Sequence, residues 1–286
     1  MKIILYFLQY IFIKLFFLIC KIIGFKKASN FGKFVGEKIG PIFKSKAIIK
    51  KNINLILPNT SQENIDIITK KMWGNYGRIL AEYPFLKKFK NNSLEQYIEI
   101  EGKEYLEEIK NDNRRVVFVS GHFNNFELMA MQLENSGLNI AAIYRPLNNV
   151  FLNRIMEKIR LNDICKKQIK KGKSGTRELL QLFKDGYSIA LMIDQRVSEG
   201  IKSKLFKRSA LTTTIPAQLV KKYGVDVVPI YIERKKKVYF KMYVNKPINF
   251  KKNVSLEEVT ETLNQELEKM ILKKPDQWIW SHDRWK

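Results

Sequence analysis

The first 25 residues form the most apolar part of the chain. Residues 3–25 read IILYFLQYIFIKLFFLICKIIGF, which at 1.5 Å rise per residue is long enough to cross the hydrocarbon core of a bilayer. Lys14 lies near the middle of this run and Lys21 near its end. A central lysine costs about 3 kcal/mol on insertion, which the many Phe, Ile and Leu residues offset, and a lysine also reaches the interface from a shallow helix. The pattern predicts a membrane anchor over residues 1–25 and leaves open whether it spans the bilayer or lies in one leaflet.

A series of lysines follows the anchor. It comprises Lys26, Lys27, Lys33, Lys38, Lys44, Lys46, Lys50 and Lys51. Because positive charge is retained on the cytoplasmic side of a membrane, we expect the remaining chain to lie in the cytoplasm. A secretory signal peptide is disfavoured, since no small-residue cleavage site follows the apolar run.

Residues 26–111 have a mainly helical pattern. Gly32, Gly36 and Gly40 recur every four residues and predict a smooth helix face that packs closely on lipid or on a neighbouring helix. Apolar residues at helical spacing between residues 65 and 80 predict an amphipathic helix, which begins with a cap near residues 60–63 and ends at Pro84. This region is therefore expected to be a helical N-terminal part packed on the domain that follows it.

From about residue 112, short β-branched apolar runs alternate with longer amphipathic stretches. The predicted strands are Val116–Ser120, Ile140–Tyr144, Ser188–Ile193, Val225–Glu233 and Val238–Asn245, of which the last is an edge strand or part of a hairpin. The predicted helices are Asn125–Asn135, Asn149–Leu161, Ser174–Lys184, Thr214–Tyr223 and Leu256–Leu272. This alternation is typical of an α/β domain with a mostly parallel sheet flanked by helices, which we place at residues 112–286.

The charge of the chain indicates an anionic partner. Lys and Arg number 52 against 28 Asp and Glu, a formal net charge of +24. Such a field attracts phospholipid surfaces, phosphorylated glycolipids, nucleic acid or an acidic carrier protein, although the codon bias of an AT-rich genome explains part of the lysine excess. The sequence has no RNP block, zinc-ligand spacing or helix-turn-helix pattern, and nucleic acid does not explain the apolar start. A lipid surface explains both features.

The strongest chemical signal is a histidine at the end of a predicted strand. Residues 116–120 lead directly into Gly121-His122, Glu127 follows five residues later, and the chain has only two histidines. Strand-to-helix turns of this kind present catalytic side chains in α/β proteins. If His122 lies in the turn and Glu127 in the first turn of the next helix, with Asn124 or Asn125 as its cap, Glu127 fixes the imidazole tautomer. The other ring nitrogen then deprotonates a hydroxyl. The alternative is a surface histidine unrelated to that glutamate.

Three more polar side chains lie at predicted element ends. Arg145 follows an apolar strand, where its guanidinium can bind a phosphate through two hydrogen bonds. Asp194 ends another strand on the side where α/β sites form, or it caps a turn or helix. Arg160 lies at the end of a helix, where position alone favours a structural role.

The aromatic tail has two interpretations. Trp278, Trp280 and Trp285 suit a membrane interface, or they pack on the body of the domain. For His282, which lies among them, packing or contact with a lipid interface is favoured over catalysis.

The block from His122 to Glu127 resembles the His-x4-Asp/Glu signature of glycerolipid and lipid A acyltransferases. Further matches follow in the same order along the chain. They are Asn75-Tyr76-Gly77-Arg78 with Glu82, Tyr144-Arg145-Pro146-Leu147-Asn148-Asn149, Arg160, Asp194-Gln195, Phe206, Thr212-Thr213-Thr214, Val227-Val228-Pro229, and a Trp-x-His-x-Arg ending at residues 280–284. The likeness extends from the anchor to Lys286 and is to the lauroyl/myristoyl acyltransferases of lipid A biosynthesis.

This resemblance implies a glycerolipid-acyltransferase-like α/β fold with an N-terminal membrane helix, located in the bacterial inner membrane with its catalytic domain on the cytoplasmic side. It implies transfer of a fatty acyl chain from acyl carrier protein to a hydroxyacyl group of a phosphorylated lipid A precursor, with no metal or redox cofactor and no nucleic acid. By the same resemblance the catalytic residues are His122, Glu127 and Arg160, and the substrate-binding residues are Arg145, Asn148, Asp194 and Gln195.

The chain departs from this family in two places. Asp194-Gln195 continues with Arg196-Val197-Ser198, where a His or Asp and a Gly are common, and Leu205-Phe206-Lys207 replaces a pair of Phe before Gly. These differences put the acyl chain length and the choice of acceptor in doubt. The alternatives are an acyltransferase for another glycolipid or phospholipid precursor, and a non-catalytic basic protein that binds membranes.

Overall fold

The computed structural model describes residues 2–43 and 46–286, so the Lys44 of the basic series lies outside the described residues. The helices are α1 Lys2–Ile23, α2 Phe25–Phe43, α3 Lys46–Ile56, α4 Gln62–Glu82, α5 Leu86–Lys90, α6 Lys103–Asn111, α7 Glu127–Asn135, α8 Val150–Ile159, α9 Lys173–Lys184, α10 Ile215–Tyr223 and α11 Leu256–Lys273. Short 3₁₀ turns occupy Tyr83–Phe85, Glu95–Tyr97 and Pro275–Gln277, and a π turn occupies Arg160–Ile164. The strands are β1 Ile98–Glu101, β2 Val117–Ser120, β3 Ile140–Tyr144, β4 Lys167–Lys170, β5 Ser188–Met192, β6 Ile201–Leu205, β7 Arg208–Thr212, β8 Val227–Lys236 and β9 Tyr239–Val244.

Seven strands form one sheet in the order β1-β9-β8-β2-β5-β3-β4. Five of these strands run parallel to one another, namely β8, β2, β5, β3 and β4. Parallel neighbours cannot be joined by a tight hairpin, so the chain connects them by crossovers. Strand β9 is antiparallel to β8, and β6 and β7 form a separate antiparallel hairpin. The predicted α/β class, with a mostly parallel sheet flanked by helices and an apolar helix at the N-terminus, is confirmed.

Of the two alternatives for the predicted strand at residues 238–245, the hairpin is observed. The strand is β9, which pairs with β8 and is not at the edge, because β1 pairs with its other side. Another expectation about the sheet needs correction. Strand β1 itself lies in the region predicted to be helical. Its sequence, IEIE, alternates apolar and charged residues over only four positions, a segment too short for its periodicity to stand out against the helices on either side.

Helices α2 and α4 pack closely through their glycines. A Cβ atom built on Gly32 would lie 2.3 Å from the carbonyl oxygen of Gly77, and one on Gly36 would lie 2.2 Å from that of Trp73. One built on Gly77 would lie 1.9 Å from the carbonyl oxygen of Gly32. Of the two partners expected for the glycine face, the neighbouring helix is therefore the one observed.

Helix α1 packs one of its faces on the rest of the protein. Phe16, Phe17 and Cys20 are buried, whereas Leu8, Leu15 and Ile22 are among many exposed apolar residues of the helix. Within the described part of the chain, α1 is the one helix long and apolar enough to cross a membrane by length and composition.

The glycine contact predicts a specific loss of stability. In Gly77→Ala the new methyl group meets the backbone of α2, so we expect the free energy of unfolding to fall by about 2 kcal/mol or more, as in other overpacked contacts. Gly74→Ala, one turn earlier in α4, is the matched control, because its Cβ atom would meet the flexible side chain of Glu37 at 3.0 Å. Because alanine has a higher helix propensity than glycine, the stability of Gly74→Ala should stay within about 1 kcal/mol of wild type. Denaturant unfolding in detergent measures both; equal stability of the two variants would contradict the close packing.

Candidate active site

The register between β2 and β5 brings His122 next to Asp194. Ser120 pairs with Met192, and each of the two site residues follows its strand end by two positions. The Nδ1 of His122 lies 2.8 Å from Oδ1 of Asp194, and the His122 backbone N–H donates to Oδ2 at 2.8 Å. Glycine at residue 121 leaves room for this close approach, since a Cβ there would lie 3.2 Å from the Cβ of Asp194 and 2.8 Å from the Phe123 ring.

The hydrogen bond to Asp194 determines how the imidazole can act. A carboxylate accepts from a protonated Nδ1, which leaves Nε2 with its lone pair. Among the described residues Nε2 of His122 has no hydrogen-bond partner, and the side chain remains 21% exposed. The Phe126 ring packs against the imidazole edge-on, with 4.9 Å between ring centroids. The structure therefore presents one ring nitrogen as a proton acceptor.

Burial and charge shift the pKa values of this pair in opposite directions. Burial alone would lower the pKa of His122, but the charge and hydrogen bond of Asp194, with a further contribution from the Glu127 charge, raise it above its ordinary value of 6.5. Burial alone would raise the pKa of Asp194, but His122 and the Trp278 indole hold it below its usual 3.8. The aspartate therefore stays ionised while the imidazole becomes a stronger base.

Glu127 does not form the predicted hydrogen bond with His122. It is the first residue of α7, and its Oε1 accepts from Arg160 Nε at 3.1 Å, from Arg160 Nη2 at 2.6 Å and from the Tyr83 hydroxyl. A guanidinium offers this buried carboxylate two charged donors where an imidazole offers one. The expectation that Glu127 orients the histidine is corrected, since Asp194 takes that position.

Arg160 is held at the site by the π turn that continues α8. Its guanidinium lies over the Tyr144 ring, 5.6 Å from the centroid, in addition to its contacts with Glu127. Tyr83, which the sequence analysis missed, donates to Glu127, and burial followed by the Glu127 charge raises its pKa well above 10.0, so it remains protonated. Its only sequence signal is its position directly after Glu82.

The four predicted substrate-binding residues divide into two groups. Arg145 and Asn148 are exposed and Gln195 is partly buried, and within the described chain none of the three has an intramolecular hydrogen bond or ion pair. They are available to a ligand. Asp194 is 1% exposed and its carboxylate is already bound to His122 and Trp278, so its predicted direct contact with substrate is corrected to a contact with the imidazole.

A buried ionic network lies behind the histidine turn. Glu82 accepts two hydrogen bonds from Arg234, at 2.8 and 3.0 Å, and further ones from Ser29 at 2.6 Å and Asn125 at 2.9 Å. The predicted capping of α7 by Asn124 or Asn125 is wrong, because α7 begins without a side-chain cap and these amides bind other elements. Their partners are Asn75, Glu82 and Gln277.

The tail is packed into the domain. Trp278 and Trp280 are 2% and 0% exposed, so of the two interpretations packing on the domain is correct for both. The indole of Trp278 donates to Asp194 Oδ2 at 2.9 Å, a contact that no local pattern in the sequence indicates. His282 Nε2 accepts from the Arg196 backbone N–H at 2.9 Å, in agreement with a packing role.

The chain matches the family described as "Bacterial lipid A biosynthesis acyltransferase" over residues 1–286. It is 24% identical over 266 residues to the lipid A biosynthesis palmitoleoyltransferase of Escherichia coli (strain K12), covering 88% of this chain and 84% of that protein. It is also 24% identical over 247 residues to the lauroyltransferase of the same organism, with 84% and 78% covered, and 21% identical over 255 residues to its myristoyltransferase, with 88% and 77% covered. The resemblance inferred from the motifs is confirmed.

The geometry predicts which carboxylate controls the basicity of His122. In Asp194→Asn the imidazolium loses its main stabilising charge, so we expect the pKa of His122 to fall, and its proton to be lost at a lower pH than in wild type. Glu127→Gln removes a charge that is not hydrogen-bonded to the ring and should lower the pKa less. NMR titration of histidine-labelled protein resolves two imidazoles, which His122→Asn assigns. A larger fall in Glu127→Gln than in Asp194→Asn would contradict the observed pairing.

Proposed function

Since the chain belongs to the family of bacterial lipid A biosynthesis acyltransferases, we propose that it transfers a fatty acyl chain, of the lauroyl/myristoyl type, from acyl carrier protein to a hydroxyacyl group of a lipid A precursor. The family supports acyl transfer in lipid A biosynthesis; the donor, the acyl type and the acceptor group are the proposal. The observation that carries the mechanism is the imidazole of His122, bound to Asp194 through Nδ1 and open at Nε2.

The first step is proton transfer to His122. Nε2 takes the proton of a hydroxyl on an acyl chain of the acceptor, and Asp194 stabilises the imidazolium that forms. The resulting alkoxide attacks the thioester carbonyl of the acyl carrier protein. When the tetrahedral intermediate collapses, the C–S bond breaks, and the thiolate of the carrier takes the proton back from the imidazolium.

The negatively charged oxygen of the tetrahedral intermediate must be stabilised by hydrogen-bond donors. The backbone N–H groups of His122, Phe123, Asn124 and Asn125 already bind acceptors in the protein. In the described structure this leaves the N–H groups of Phe126 and Glu127 at the start of α7, where the helix dipole also favours negative charge. The guanidinium of Arg160, fixed by Glu127, is a further donor, so Glu127 acts as a positioning residue for it.

Arg145, Asn148 and Gln195 bind the polar part of the substrates. All three follow strands of the parallel sheet at the edge where His122 lies, and Arg145 can bind a phosphate of the glycolipid through two hydrogen bonds. The net charge of +24 attracts the acidic carrier protein and the anionic acceptor. The proposal requires no metal and no redox cofactor.

We further propose that residues 1–25 attach the enzyme to the bacterial inner membrane, with residues 26–111 packed on the α/β domain of residues 112–286. The apolar face of α1 and the lysines that follow it support attachment and placement of the domain on the cytoplasmic side. A lipid acceptor is then delivered to the enzyme within the membrane.

Removal of the base should remove transfer. In His122→Ala we expect the rate of acyl transfer from acyl carrier protein to fall on the order of a hundred- to ten-thousand-fold, while the fold and membrane attachment are retained. His282→Asn, which alters the other histidine, is the matched control and should retain most of the activity. Turnover is followed with a radiolabelled acyl carrier protein substrate. Wild-type rates in His122→Ala would discard the mechanism, and absence of transfer by wild type would favour a non-catalytic membrane-binding protein.

The acceptor is identified by supplying lipid A precursors, phospholipid precursors and other glycolipids separately in the same assay. Mass spectrometry of lipid A from cells with and without the gene should show one acyl chain missing, and the mass difference gives its length. Transfer to a phospholipid precursor alone would favour the alternative acyltransferase.

Arg145 should affect substrate binding more than chemistry. Arg145→Ala loses an exposed cation at the sheet edge, so we expect KM for the phosphorylated acceptor to rise about tenfold while kcat changes little, as for an interaction made equally in the ground and transition states. Arg208→Ala, which removes one exposed cation from the β6–β7 hairpin, is the control for net charge. An equal rise of KM in both variants would show that only overall charge matters.

A further inference from the structure

We infer that α1 lies parallel to the membrane plane within one leaflet of an anionic bilayer and does not cross it. This inference rests on the proposed membrane attachment and specifies its geometry. It follows from how far along its length α1 is packed on the rest of the protein.

The docked face of α1 extends from its first turns to its last. Near the start, the Asn149 side chain donates to the Tyr6 carbonyl oxygen and to Gln9 Oε1, both at 2.9 Å. Near the end, Phe17 stacks on Tyr83 with 6.4 Å between ring centroids, and Cys20 is 0% exposed. Residues 6 and 20 are about 21 Å apart along a helix axis, which is roughly two thirds of a hydrocarbon core.

A spanning orientation would therefore carry polar parts of the domain into the bilayer. The partner of the first turns is the N-terminus of α8, where Phe151 contacts Phe7 and Asn149 caps the helix. The non-helical residues 145–148 come directly before it, and exposed Arg154 follows one turn later. Lipid-exposed loops and charged side chains are not stable within the hydrocarbon, so α1 cannot cross while this docking is kept.

The opposite face of α1 is suited to lipid along its whole length. Its exposed apolar residues include Ile4, Leu8, Ile11, Phe12, Leu15, Leu18, Ile19 and Ile22. Lys14 and Lys21 are seven residues apart, hence on the same side of the helix, and both are exposed. In an in-plane helix both ammonium groups reach the headgroups together, whereas in a spanning helix Lys14 would lie near the bilayer centre.

Neighbouring elements extend the same membrane face and add cations to it, which indicates that the lipid partner is anionic. Leu147 and Val150, which lie on either side of Asn149, are 40% and 51% exposed. Exposed Lys26 and Lys27 follow α1 at once, and Arg145 is exposed next to Leu147. Apolar side chains bordered by cations match the interface of an anionic bilayer. The membrane face thus includes the loop that carries the proposed substrate-binding residues Arg145 and Asn148.

The orientation is tested by the depth of three labelled positions. Leu8→Cys, Leu15→Cys and Ile22→Cys lie two turns apart on the exposed side of α1, and wild type, whose two cysteines are buried, is the blank. Each full-length variant is labelled with a fluorophore and bound to phosphatidylcholine–phosphatidylglycerol vesicles that contain lipids brominated at known depths. An in-plane helix gives three equal depths, whereas a spanning helix places the label at residue 15 about 10 Å deeper than the other two.

A protease site placed before Met1 provides an independent measurement on the same sealed vesicles. The in-plane orientation predicts complete cleavage from the side that bears the domain, and protection of the site together with a deeper label at residue 15 would overturn it. Failure to bind vesicles of this composition would overturn both the orientation and the proposed attachment. Acyl transfer by the labelled variants tests the enzymatic proposal separately, because a spanning helix would leave transfer by His122 intact.

Discussion

Hydrogen bonding between β2 and β5 is the constraint on which the candidate active site depends. The pairing of Ser120 with Met192, continued by the Ile193 N–H that donates to the Ser120 carbonyl oxygen at 2.8 Å, sets His122 opposite Asp194. A slip of one residue in this pairing would replace the carboxylate by Ile193 or Gln195. The chemistry of the imidazole is therefore a property of sheet register, and any substitution that disturbs this register acts on the site from a distance.

Three buried carboxylates around the site each have a different principal partner. Glu82 binds Arg234, Glu127 binds Arg160 and Asp194 binds His122. A buried charge without a partner is strongly destabilising, so an exchange of partners would leave at least one group uncompensated. This makes the arrangement rigid. It also gives the two carboxylates nearest the candidate active site different contacts: Asp194 binds the imidazole of His122, and Glu127 binds the guanidinium of Arg160.

The sequence contained most of the elements and most of the site residues, but not their pairing. Continuous apolar runs located the strands that precede His122, Arg145 and Asp194, because strands inside a parallel sheet are largely apolar on both faces. The sequence pattern could not show the order of the strands. The prediction therefore paired His122 with Glu127, which is close to it in the chain, whereas the end of the adjacent strand supplies Asp194. Strands β1 and β4, the β6–β7 hairpin and the roles of Tyr83 and Trp278 were missed. For β1, β4, Tyr83 and Trp278 the reason is related, since each is defined by contacts with residues far away in sequence.

The indole of Trp278 gives the tail a role beyond packing. Its N–H donates a hydrogen bond to the Asp194 carboxylate. The side chain of Gln277 accepts from the amide of Asn124 at 2.9 Å and so helps to hold the turn that carries His122. A nascent chain that has not yet reached residue 278 lacks both contacts, although its apolar first helix was synthesised long before. If α1 attaches the enzyme to lipid as proposed, attachment precedes catalytic competence, because the site is complete only after the last residues of the chain have been synthesised.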